Sequence, residues 1–582
     1  MSDNDLPLKE IIDVAAGRRP AEIVLRGGQI VNVASHEIQQ ADVAIVGDRI
    51  AGIGDYEGRE TVDLKGRVVC PGFIDAHVHV ESSMLSVPQF ARVVAACGTT
   101  AVVADPHEFA NVMGGEGISF VLRTAKNAPI DVYVMLSSCV PASPLESAGA
   151  TLTAEDLEPF LNNRWTLGLA EMMNYPGVIA ADPDVLAKIE MARDCIVDGH
   201  APQLSGRPLT VYAASGIMSE HECIGADEAA EKLRNGLSIM IREGSQARNL
   251  RSLLPLVRPE TADRFMFCTD DKDVRHLLDE GQIDWMVRTA IAEGLDPILA
   301  VRLAGYSAAR YFGLRHAGAV LPGYRADLTI LEDLKGCRVT DVYHRGRLVA
   351  RDGVCVVPEA PDEQRAPLRS SIDVHWIEPD DFLVPAPSGA SAERPPKIHV
   401  LHVLENRIDT ERSIEPAAVR DGAMVADPSR DLAKIVVIER HRASGEIGRG
   451  FVRGFALRRG AIASSVAHDA HNIIAVGTND EDMMQAVVRL VKMRGGLTVA
   501  DGGKVVAEVP LTVAGLVSDE PAAVVAEKLR RITAAAHDLG CTLAQPFMAL
   551  SFLSLSVIGK LKVTNHGLID VERFEVIPLI AG

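Results

Sequence analysis

A chain of 582 residues is too long for one hydrophobic core, so roughly two to four domains are expected. Its composition, 47% apolar and 24% charged, is ordinary for a folded protein. The net charge of −20, from 79 acidic and 59 basic side chains, argues against a nucleic-acid-binding surface and against an anionic-membrane surface. The expected partner is a small-molecule substrate.

The cysteine count and the hydropathy pattern favour the cytoplasm. The first ten residues, MSDNDLPLKE, are acidic and polar and contain no signal-peptide pattern. The longest apolar stretch, near Phe547 to Ile558, is broken by serines and is shorter than the ~20 apolar residues of a bilayer span. Nine cysteines without a CxxC pair indicate reduced thiols rather than a disulfide scaffold.

The first two-thirds of the chain predicts an α/β fold. Residues 21–70 and 315–357 read as short strands between Gly and Asp turns. Between them, apolar strands alternate with helical stretches, the pattern of parallel βα units. We therefore predict a (β/α)8 TIM-like barrel over residues 72–314. A small flanking β-sandwich is predicted from both ends of the barrel segment, residues 1–71 and 315–375.

Eight candidate strands are available for this barrel, and ~250 residues is the usual size of the fold. In chain order they are GFIDAHVH, TTAVVADPHE, DVYVMLSS, TLGLAEM, CIVDGH, LTVYAASGIMSEH, LSIMIREG and FMFCTD.

A Pro-, Ser- and Ala-rich segment at residues 378–396 predicts a flexible linker. Residues 397–582 are long enough for a further α/β domain, with helices predicted near 481–494 and 521–539. Its most apolar segment, PFMALSFLSLSVIG, predicts a strand or helix buried at an interface. We expect this domain to pack against the barrel or a neighbouring subunit and to help close the active site.

The first chemical signal is the pair His77 and His79. Residues i and i+2 of a strand point to the same face, so both imidazoles can reach one metal ion. Alone the pair is weak, because two incidental polar residues would look the same.

Four more polar residues follow separate apolar strands. Glu171, His200, His221 and Asp270 come after TLGLA, CIVDG, GIMSE and MFCT. Barrel enzymes build their sites from the carboxyl ends of the strands, where separate segments converge. Singly, a carboxylate in such a position is more often a helix cap or a solvated group. Jointly, the residues predict one site.

Four imidazoles and two carboxylates are enough ligands for two divalent ions. Two ions ~3.5–4 Å apart hold a hydroxide at neutral pH, because they lower the pKa of bound water. A glutamate suits the bridging position since it offers two oxygens. The set lacks thiolate and fits manganese, iron or zinc without choosing among them.

The segments VVCPGFIDAHVHVESSM and AGAVLPGYRADLTILED resemble the amidohydrolase superfamily. Most two-metal members of that superfamily carry a carboxylated lysine at the end of strand 4, where this chain has Glu171. That departure, together with HVHVESSM, VVADPHEFANV, DGHAP and CTDD, resembles the bacterial adenine deaminases. The segments AHDAHNIIAVGTNDEDMMQAV and PFMALSFLSLSVIGKLKVT resemble the C-terminal domain of the same family.

This resemblance covers nearly the whole chain. It implies hydrolysis of adenine to hypoxanthine and ammonia, a step of purine salvage, by a metal-bridged hydroxide that attacks C6. It makes Asp270 the proton carrier for that hydroxide and favours manganese or iron as the two ions. A homodimer is also expected. The metal ligands that it implies are His77, His79, Glu171, His200, His221 and Asp270.

The reaction also needs a general acid on the purine side. Attack at C6 places electron density on N1, and the amine must leave as ammonia. His107 and Glu108, which end the second predicted strand, are the candidates, and Glu81 is a further one. The alternative for His107 and Glu108 is that they cap the following helix.

His468 and His471 have a spacing compatible with one helix face, but they stand in a strand-like context without a third ligand. That context favours packing or solvated histidines over a second metal site. Three rival functions remain: a cyclic amidase resembling dihydroorotase or hydantoinase, a guanine or cytosine deaminase, and an inactive scaffold on an amidohydrolase barrel. Glu171 in place of lysine argues against the first, and the full set of six ligands argues against the last.

Overall fold

The computed structural model describes residues 7–359, 372–405 and 407–581. Residues 1–6 and 360–371, which the sequence assigns to the flanking sheet domain, lie outside the described residues, as do residues 406 and 582 of the predicted C-terminal domain.

The chain begins with one short helix and five strands. Strands β1 and β2 pair antiparallel, with Ile30 opposite Gln39, while β4 and β5 pair parallel to β1. The elements are α1 (Leu8–Ala15), β1 (Ala21–Asn32), β2 (Glu37–Val46), β3 (Arg49–Ile53), β4 (Gly58–Asp63) and β5 (Val68–Pro71).

Eight short strands follow, and nearly all of their residues are buried. Continuous burial is typical of parallel strands that are covered on both faces. They are β6 (Phe73–Val78), β7 (Thr99–Ala104), β8 (Asp131–Leu136), β9 (Thr166–Met172), β10 (Ile196–Gly199), β11 (Ser219–Glu220), β12 (Ser238–Arg242) and β13 (Phe265–Cys268).

Helices lie between these strands and after the last of them, so the predicted alternation of parallel strands and helices is confirmed. They are α2 (Val87–Ala96), α3 (His107–Met113), α4 (Gly115–Thr124), α5 (Ala154–Leu161), α6 (Tyr175–Ala180), α7 (Pro183–Met191), α8 (Gly206–Ala214), α9 (Ala226–Arg234), α10 (Leu250–Leu253), α11 (Val274–Asp279), α12 (Ile283–Ala292), α13 (Pro297–Val301) and α14 (Ser307–Tyr311).

One predicted strand is partly wrong. Within LTVYAASGIMSEH, the first six residues belong to helix α8 and only the last part contains a strand, β11. Leu209 and Tyr212, which are three residues apart, are the buried side chains of α8. That spacing places them on one helical face, which explains why a run rich in β-formers folds as a helix.

The parallel strands form a curled surface. Strands β6–β10 make one sheet and β11–β13 another. The two sheets meet at both edges: the N–H of Met218 donates to Val197 O at 2.9 Å, and the N–H of Asp270 donates to His77 O at 2.9 Å. Alternate residues such as Ile74 and Ala76 point into the curl and fill it with an apolar cluster.

Four strands after the parallel units return to the first sheet. Strand β14 pairs antiparallel with β5, with Leu328 opposite Pro71. The nine strands run in the order β17-β16-β15-β14-β5-β1-β2-β3, with β4 beside β1. The added strands are β14 (Leu328–Leu331), β15 (Val339–His344), β16 (Arg347–Arg351) and β17 (Val354–Cys355).

The remainder of the chain builds an eight-stranded sheet in the order β19-β18-β23-β22-β25-β24-β26-β27, with helices beside it. The elements of this part of the chain, of which β20, β21, β28, β29 and β30 lie outside that sheet, are β18 (Lys397–Val403), β19 (Thr410–Pro416), β20 (Ala418–Arg420), β21 (Ala423–Val425), β22 (Ala433–Ile438), β23 (Ile447–Arg453), β24 (Ala461–Ser464), β25 (Ile473–Gly477), α15 (Asp480–Lys492), β26 (Gly496–Asp501), β27 (Lys504–Pro510), α16 (Ala522–Asp538), α17 (Pro546–Ser551), β28 (Leu561–Thr564), β29 (Gly567–Asp570) and β30 (Glu575–Ile577).

Both helices predicted in this part of the chain are present. In α15, Asn479 accepts a hydrogen bond from the N–H of Asp482, three acidic residues occupy the first turn, and Arg489 and Lys492 occupy the last. This order of charges is favourable in the field of the helix dipole. The apolar segment that begins at Pro546 forms α17, in which every side chain is buried.

The segment predicted as a flexible linker is packed instead. Phe382 is fully buried among residues of the C-terminal sheet, including Val436 and Ile438. The N–H of Met424 donates to Val384 O at 2.8 Å, which ties the segment to β21. Its Pro and Ser content indicated a linker, but the short apolar run Phe382, Leu383 and Val384 supplies the phenylalanine and valine that anchor it.

The C-terminal domain packs directly on the parallel units. The N–H of Ser86 donates to Ser518 O at 2.8 Å, and the N–H of Ser518 donates to Met84 O at 2.9 Å. One hydrophobic cluster includes both Leu85, which lies between β6 and β7, and Leu550 of α17. Within the described residues, no helix is both long and apolar enough to cross a membrane.

A buried ion cluster joins the parallel strands to the flanking sheet. Asp131, at the start of β8, lies 2.8 Å from Arg325 Nη1, 2.9 Å from Arg345 Nη2 and 3.3 Å from His344 Nε2. Burial raises the pKa of Asp131, but these cations outweigh it and hold the pKa far below its usual range. The same cluster, chiefly through Asp327, raises the pKa of His344 to about 9 against the effect of burial.

We predict that Asp131→Asn lowers the free energy of unfolding by about 3 kcal/mol, because it removes one of the two anions, Asp131 and Asp327, that neutralise the buried cations. Urea denaturation at pH 7 measures this. Because the pKa of Asp131 is depressed in the folded state, its contribution is present above the unfolded pKa and disappears as the pH falls. The difference between variant and wild type should therefore shrink in acid.

The matched control is Glu332→Gln, which breaks an exposed pair with Arg338. It should leave the denaturation midpoint nearly unchanged, because exposed ion pairs contribute little. Equal shifts in the two variants would contradict a structural role for the buried cluster.

Candidate active site

The six side chains predicted as metal ligands meet at one end of the curled parallel sheet. All of them are buried. Because parallel strands present their carboxyl ends at the same edge, residues far apart in sequence converge there. They are His77 in β6, His79 just after it, Glu171 in β9, His200 after β10, His221 after β11 and Asp270 after β13.

Glu171 has different imidazoles at its two carboxylate oxygens. Its Oε1 lies 3.2 Å from His79 Nε2 and 3.7 Å from His77 Nε2. Its Oε2 lies 2.7 Å from His200 Nδ1 and 3.2 Å from His221 Nε2. The carboxylate therefore stands between two groups of nitrogen donors.

Asp270 belongs to the Oε1 side of this arrangement. Its Oδ1 lies 3.0 Å from His79 Nε2 and 3.5 Å from His77 Nε2. Its Oδ2 accepts a hydrogen bond from Arg242 Nη1 at 2.5 Å. The backbone of Asp270 has φ +54°, a left-handed conformation that aspartate tolerates better than most side chains. One carboxylate oxygen thus faces the imidazoles while a buried cation holds the other.

Burial and neighbouring cations oppose each other at both carboxylates. Burial raises the pKa of Glu171, but His221 and the other imidazoles outweigh it and hold that pKa well below its usual range. Burial also raises the pKa of Asp270, and Arg242 followed by His77 more than reverses the effect. Both groups are therefore ionised at neutral pH.

The donor set fits a divalent metal site. Nε2 of His77 and Nε2 of His79 lie 3.2 Å apart and point at each other. Within the described part of the chain, Nε2 of His200 is buried without a hydrogen-bond partner. Groups of three or four such donor atoms lie within 4.8 Å of one another. Imidazole nitrogens and carboxylate oxygens that converge so closely are suited to a cation such as zinc, manganese or iron.

A cavity opens beside this cluster, and its walls come from distant parts of the chain. Histidine and carboxylate side chains at the strand ends form one wall. Another part of the lining is apolar. An apolar wall that keeps water out strengthens electrostatic interactions inside a site. The prediction that the apolar segment after Pro546 is buried at an interface is confirmed. The apolar wall consists of Ile408, Met548, Phe552, Leu555, Val557 and Ile558.

Of the candidate purine-side acids, only His107 lines this cavity. Its Nδ1 lies 3.1 Å from Asp105 Oδ2 and 3.5 Å from Glu171 Oε1. Glu108 turns away from the strand ends, and its Oε1 lies 2.9 Å from His468 Nδ1. Helix α3 begins at His107 without a hydrogen bond from a capping side chain at its first position, so the capping alternative does not describe these two residues.

Glu81 has a structural partner instead. Its Oε1 accepts a hydrogen bond from the N–H of Phe109 at 3.1 Å, in the first turn of α3. Burial and the neighbouring Glu108 raise the pKa of Glu81 to about 8. Glu81 therefore fixes the helix that carries His107 and Glu108.

Sequence reasoning missed an ion pair next to the ligands. Arg242, the last residue of β12, donates from Nη1 and Nη2 to Glu222 at 2.5 and 2.8 Å, in addition to its bond to Asp270. Glu222 lies 3.7 Å from both His200 Nδ1 and His221 Nε2. The available signal is position, because Arg242 ends a predicted barrel strand as the ligands do.

His468 and His471 lie in the turn between β24 and β25. Both are buried, and His468 lines the cavity together with its neighbour Asp469. The two imidazoles meet Glu108 of α3, a contact between residues some 360 positions apart in sequence. The histidine pair therefore has a third polar partner that no local pattern indicates.

Two protein families match separate parts of the chain. The amidohydrolase family matches residues 68–349. The family described as "Adenine deaminase C-terminal domain" matches residues 407–575.

Relatives match the chain from end to end. The adenine deaminases of Desulfatibacillum aliphaticivorans and Dehalococcoides mccartyi are each 46% identical over 572 residues, which is 98% of this chain and 99% of theirs. The adenine deaminase of Geobacillus kaustophilus is 45% identical over 575 residues, 98% of both chains. The chain therefore belongs to the adenine deaminase family of the metal-dependent amidohydrolases.

Proposed function

We propose that this protein hydrolyses adenine to hypoxanthine and ammonia, the activity that names its relatives. The observation that carries the proposal is Glu171, buried with different imidazoles at its two oxygens, in the lining of a cavity that also has an apolar wall. A planar, neutral base fits between a polar wall and an apolar wall. The same geometry argues against an inactive scaffold, because every predicted ligand is present and oriented inward.

Two divalent ions, manganese or iron, are the proposed cofactors, with zinc as a further possibility. Glu171 supports this count because its two oxygens face separate donor groups. When bound, such ions lower the pKa of a water molecule and so supply the nucleophile at neutral pH. The proposed ligands are His77, His79 and Asp270 on the Oε1 side of Glu171, and His200 and His221 on the Oε2 side.

Asp270 is the proposed acceptor of the proton that the attacking water loses. Arg242 keeps this carboxylate ionised, and Oδ1 faces the ligand cluster rather than solvent. His107, which faces the cavity beside Glu171, is the proposed donor at purine N1, where attack at C6 places electron density. Both groups are held in place by buried partners, so little motion is needed during proton transfer.

The finer organisation of the chain is also a proposal. We infer a closed (β/α)8 barrel over residues 72–314, a flanking domain from residues 1–71 and 315–375, and a C-terminal domain from 397 to 582. The hydrogen bonds at both edges of the curled sheet support closure. The family resemblance supports a cytoplasmic homodimer, and sedimentation of the purified protein measures that oligomeric state.

Adenine should be the best substrate in a panel that also contains guanine, cytosine, adenosine and hydantoin. Ammonia release by manganese-loaded protein measures the deaminations, and loss of ring absorbance measures hydantoin opening. Adenosine should be much poorer than adenine, because the apolar wall offers a ribose few polar contacts. Faster release from guanine or cytosine, or hydantoin opening without adenine turnover, would contradict the proposed function.

Glu171→Gln should lower the metal content and abolish turnover, because a neutral amide bridges two cations poorly. Elemental analysis should show close to two ions per wild-type chain and fewer in the variant. Glu260→Gln, at an exposed position, is the matched control and should behave as wild type. A fully active wild-type enzyme with one ion per chain would remove the binuclear proposal.

Asp270→Asn should retain at least one ion yet lower kcat on the order of 10²-fold or more, the usual effect of removing a general acid or base. Steady-state kinetics beside metal analysis measures both effects. Asp279→Asn, at an exposed aspartate, provides the control. If the Asp270 variant turns over at a near wild-type rate, Asp270 does not carry the proton.

A further inference from the structure

His468 adds an imidazole from the C-terminal domain to the lining of the cavity. It lies in a turn that is anchored to the segment after α17: its N–H donates to Ser551 O at 2.9 Å, and its O accepts from Ser554 Oγ at 3.1 Å. Its ring stacks on Phe552, with centroids 4.6 Å apart and planes within 10°. Phe552 also lines the cavity. The ring is thus fixed both in position and in plane.

Glu108 determines which nitrogen of His468 remains for a ligand. Oε1 of Glu108 lies 2.9 Å from Nδ1 of His468. A carboxylate at Nδ1 keeps a hydrogen on that nitrogen. Nε2, on the other side of the ring, is then the atom that exchanges protons.

A metal ion bound by Glu108, His468 and His471 is the obvious alternative, since their donor atoms lie within 4.8 Å of one another. The tautomer of His471 argues against it. The N–H of Ala467 donates to Nδ1 of His471 at 3.2 Å, so the ring hydrogen must be on Nε2. That nitrogen faces Glu108 Oε2 at 3.8 Å and has no lone pair to offer a cation.

The charges around His468 favour its protonated form. The groups that face it are Glu108 from α3, Asp271 after β13, and Asp469 and His471 from its own turn. Burial lowers the pKa of His468, but Glu108, then Asp271 and Asp469, outweigh burial and raise it to about 9. Burial lowers the pKa of His471 well below its usual value, so His471 is neutral.

We propose that His468 is the proton donor to the leaving amine of the proposed reaction, and that Glu108 is its positioning residue. This inference rests on the proposed function and assigns the C-terminal domain a place in the chemistry. It also accounts for Glu108, which sequence reasoning expected to act on the purine directly.

The proton balance is complete without a further reactant. As the bond between C6 and the amine nitrogen breaks, its electron pair stays on nitrogen, which takes the Nε2 proton of His468 and leaves as ammonia. Water supplies the oxygen at C6. His107 supplies the proton at N1. The two protons of the water restore the two donors: the one that Asp270 accepts restores His468, and the one released as the C6 hydroxyl becomes the carbonyl restores His107.

The decisive variant is His468→Asn in the manganese-loaded full-length protein. The asparagine amide can replace Nδ1 as a donor to Glu108, but nothing replaces Nε2. We expect kcat for adenine to fall on the order of 10²-fold, with KM changed far less and the metal content unchanged. His402→Asn, the same substitution at a half-buried site that does not line the cavity, should match wild type.

Glu108→Gln separates a positioning role from a merely structural one through the pH profile. An imidazolium acts as the acid below its pKa and is lost as the pH rises through that pKa. Without the neighbouring carboxylate, the pKa of His468 falls, so the basic limb of kcat should move to lower pH. An unshifted limb would overturn the role of Glu108.

Several outcomes would overturn the inference or the function on which it rests. A His468→Asn enzyme with kcat within about threefold of wild type would overturn the donor role, and a parallel loss of metal would make His468 a ligand instead. Wild type that releases no ammonia from adenine would instead remove the proposed function.

A crystal structure of the metal-loaded wild type with hypoxanthine gives a test independent of turnover. Nε2 of His468 should lie within about 3.2 Å of the ligand. A bound base that this nitrogen does not reach would overturn the inference.

Discussion

The ionised carboxylate of Glu171, buried among imidazoles at both of its oxygens, is the interaction on which the rest of the site depends. A buried carboxylate without cationic or hydrogen-bonding partners takes up a proton. Here the imidazoles at both oxygens keep it charged, and the charge in turn holds the imidazoles in place. Arg242 extends the same balance to Asp270 and Glu222, so neither of these acids lacks a cation.

Such a cluster requires strands that approach each other closely. Glu171 and His200 stand on or beside neighbouring strands, β9 and β10, and their contact distance of 2.7 Å depends on how those strands pair. At Gly168 of β9, an added Cβ would lie 1.9 Å from the carbonyl oxygen of Ile196. Glycine is therefore required at this position for steric reasons, and the strand spacing sets the geometry of the ligands.

The C-terminal domain completes what the strand ends begin. The strand ends alone would leave charged groups open to water, which screens them and supplies competing protons. The apolar wall around Phe552 and Met548 covers them, and Leu550 and Leu553 of the same segment pack in the hydrophobic cluster that includes Leu85 of the parallel units. The Glu108–His468 contact then joins this part of the chain to helix α3.

Much of the candidate site could be predicted from the sequence, because the patterns that indicate it are short and local. His77 and His79 share a strand face, and Glu171 and Asp270 directly end apolar runs, so the period of a strand and the convergence of strand ends were sufficient to group them. Helices α15 and α16 were likewise predictable from apolar periodicity, and α15 also from the charged residues at its ends. The strand prediction at Leu209 and Tyr212 failed because residue preference pointed one way and helical spacing the other.

Tertiary structure alone decided the pairings between distant segments. Arg242 beside Asp270, Glu108 beside His468 and the apolar wall beside the histidines each join residues whose own sequence neighbourhoods are ordinary. Sequence determines which residues can ligate, cap or pack, because these properties follow from side-chain chemistry and from the period of a strand or helix. Which buried charge neutralises which other charge follows from long-range packing, since electrostatic energy depends on distance in space and not on separation along the chain.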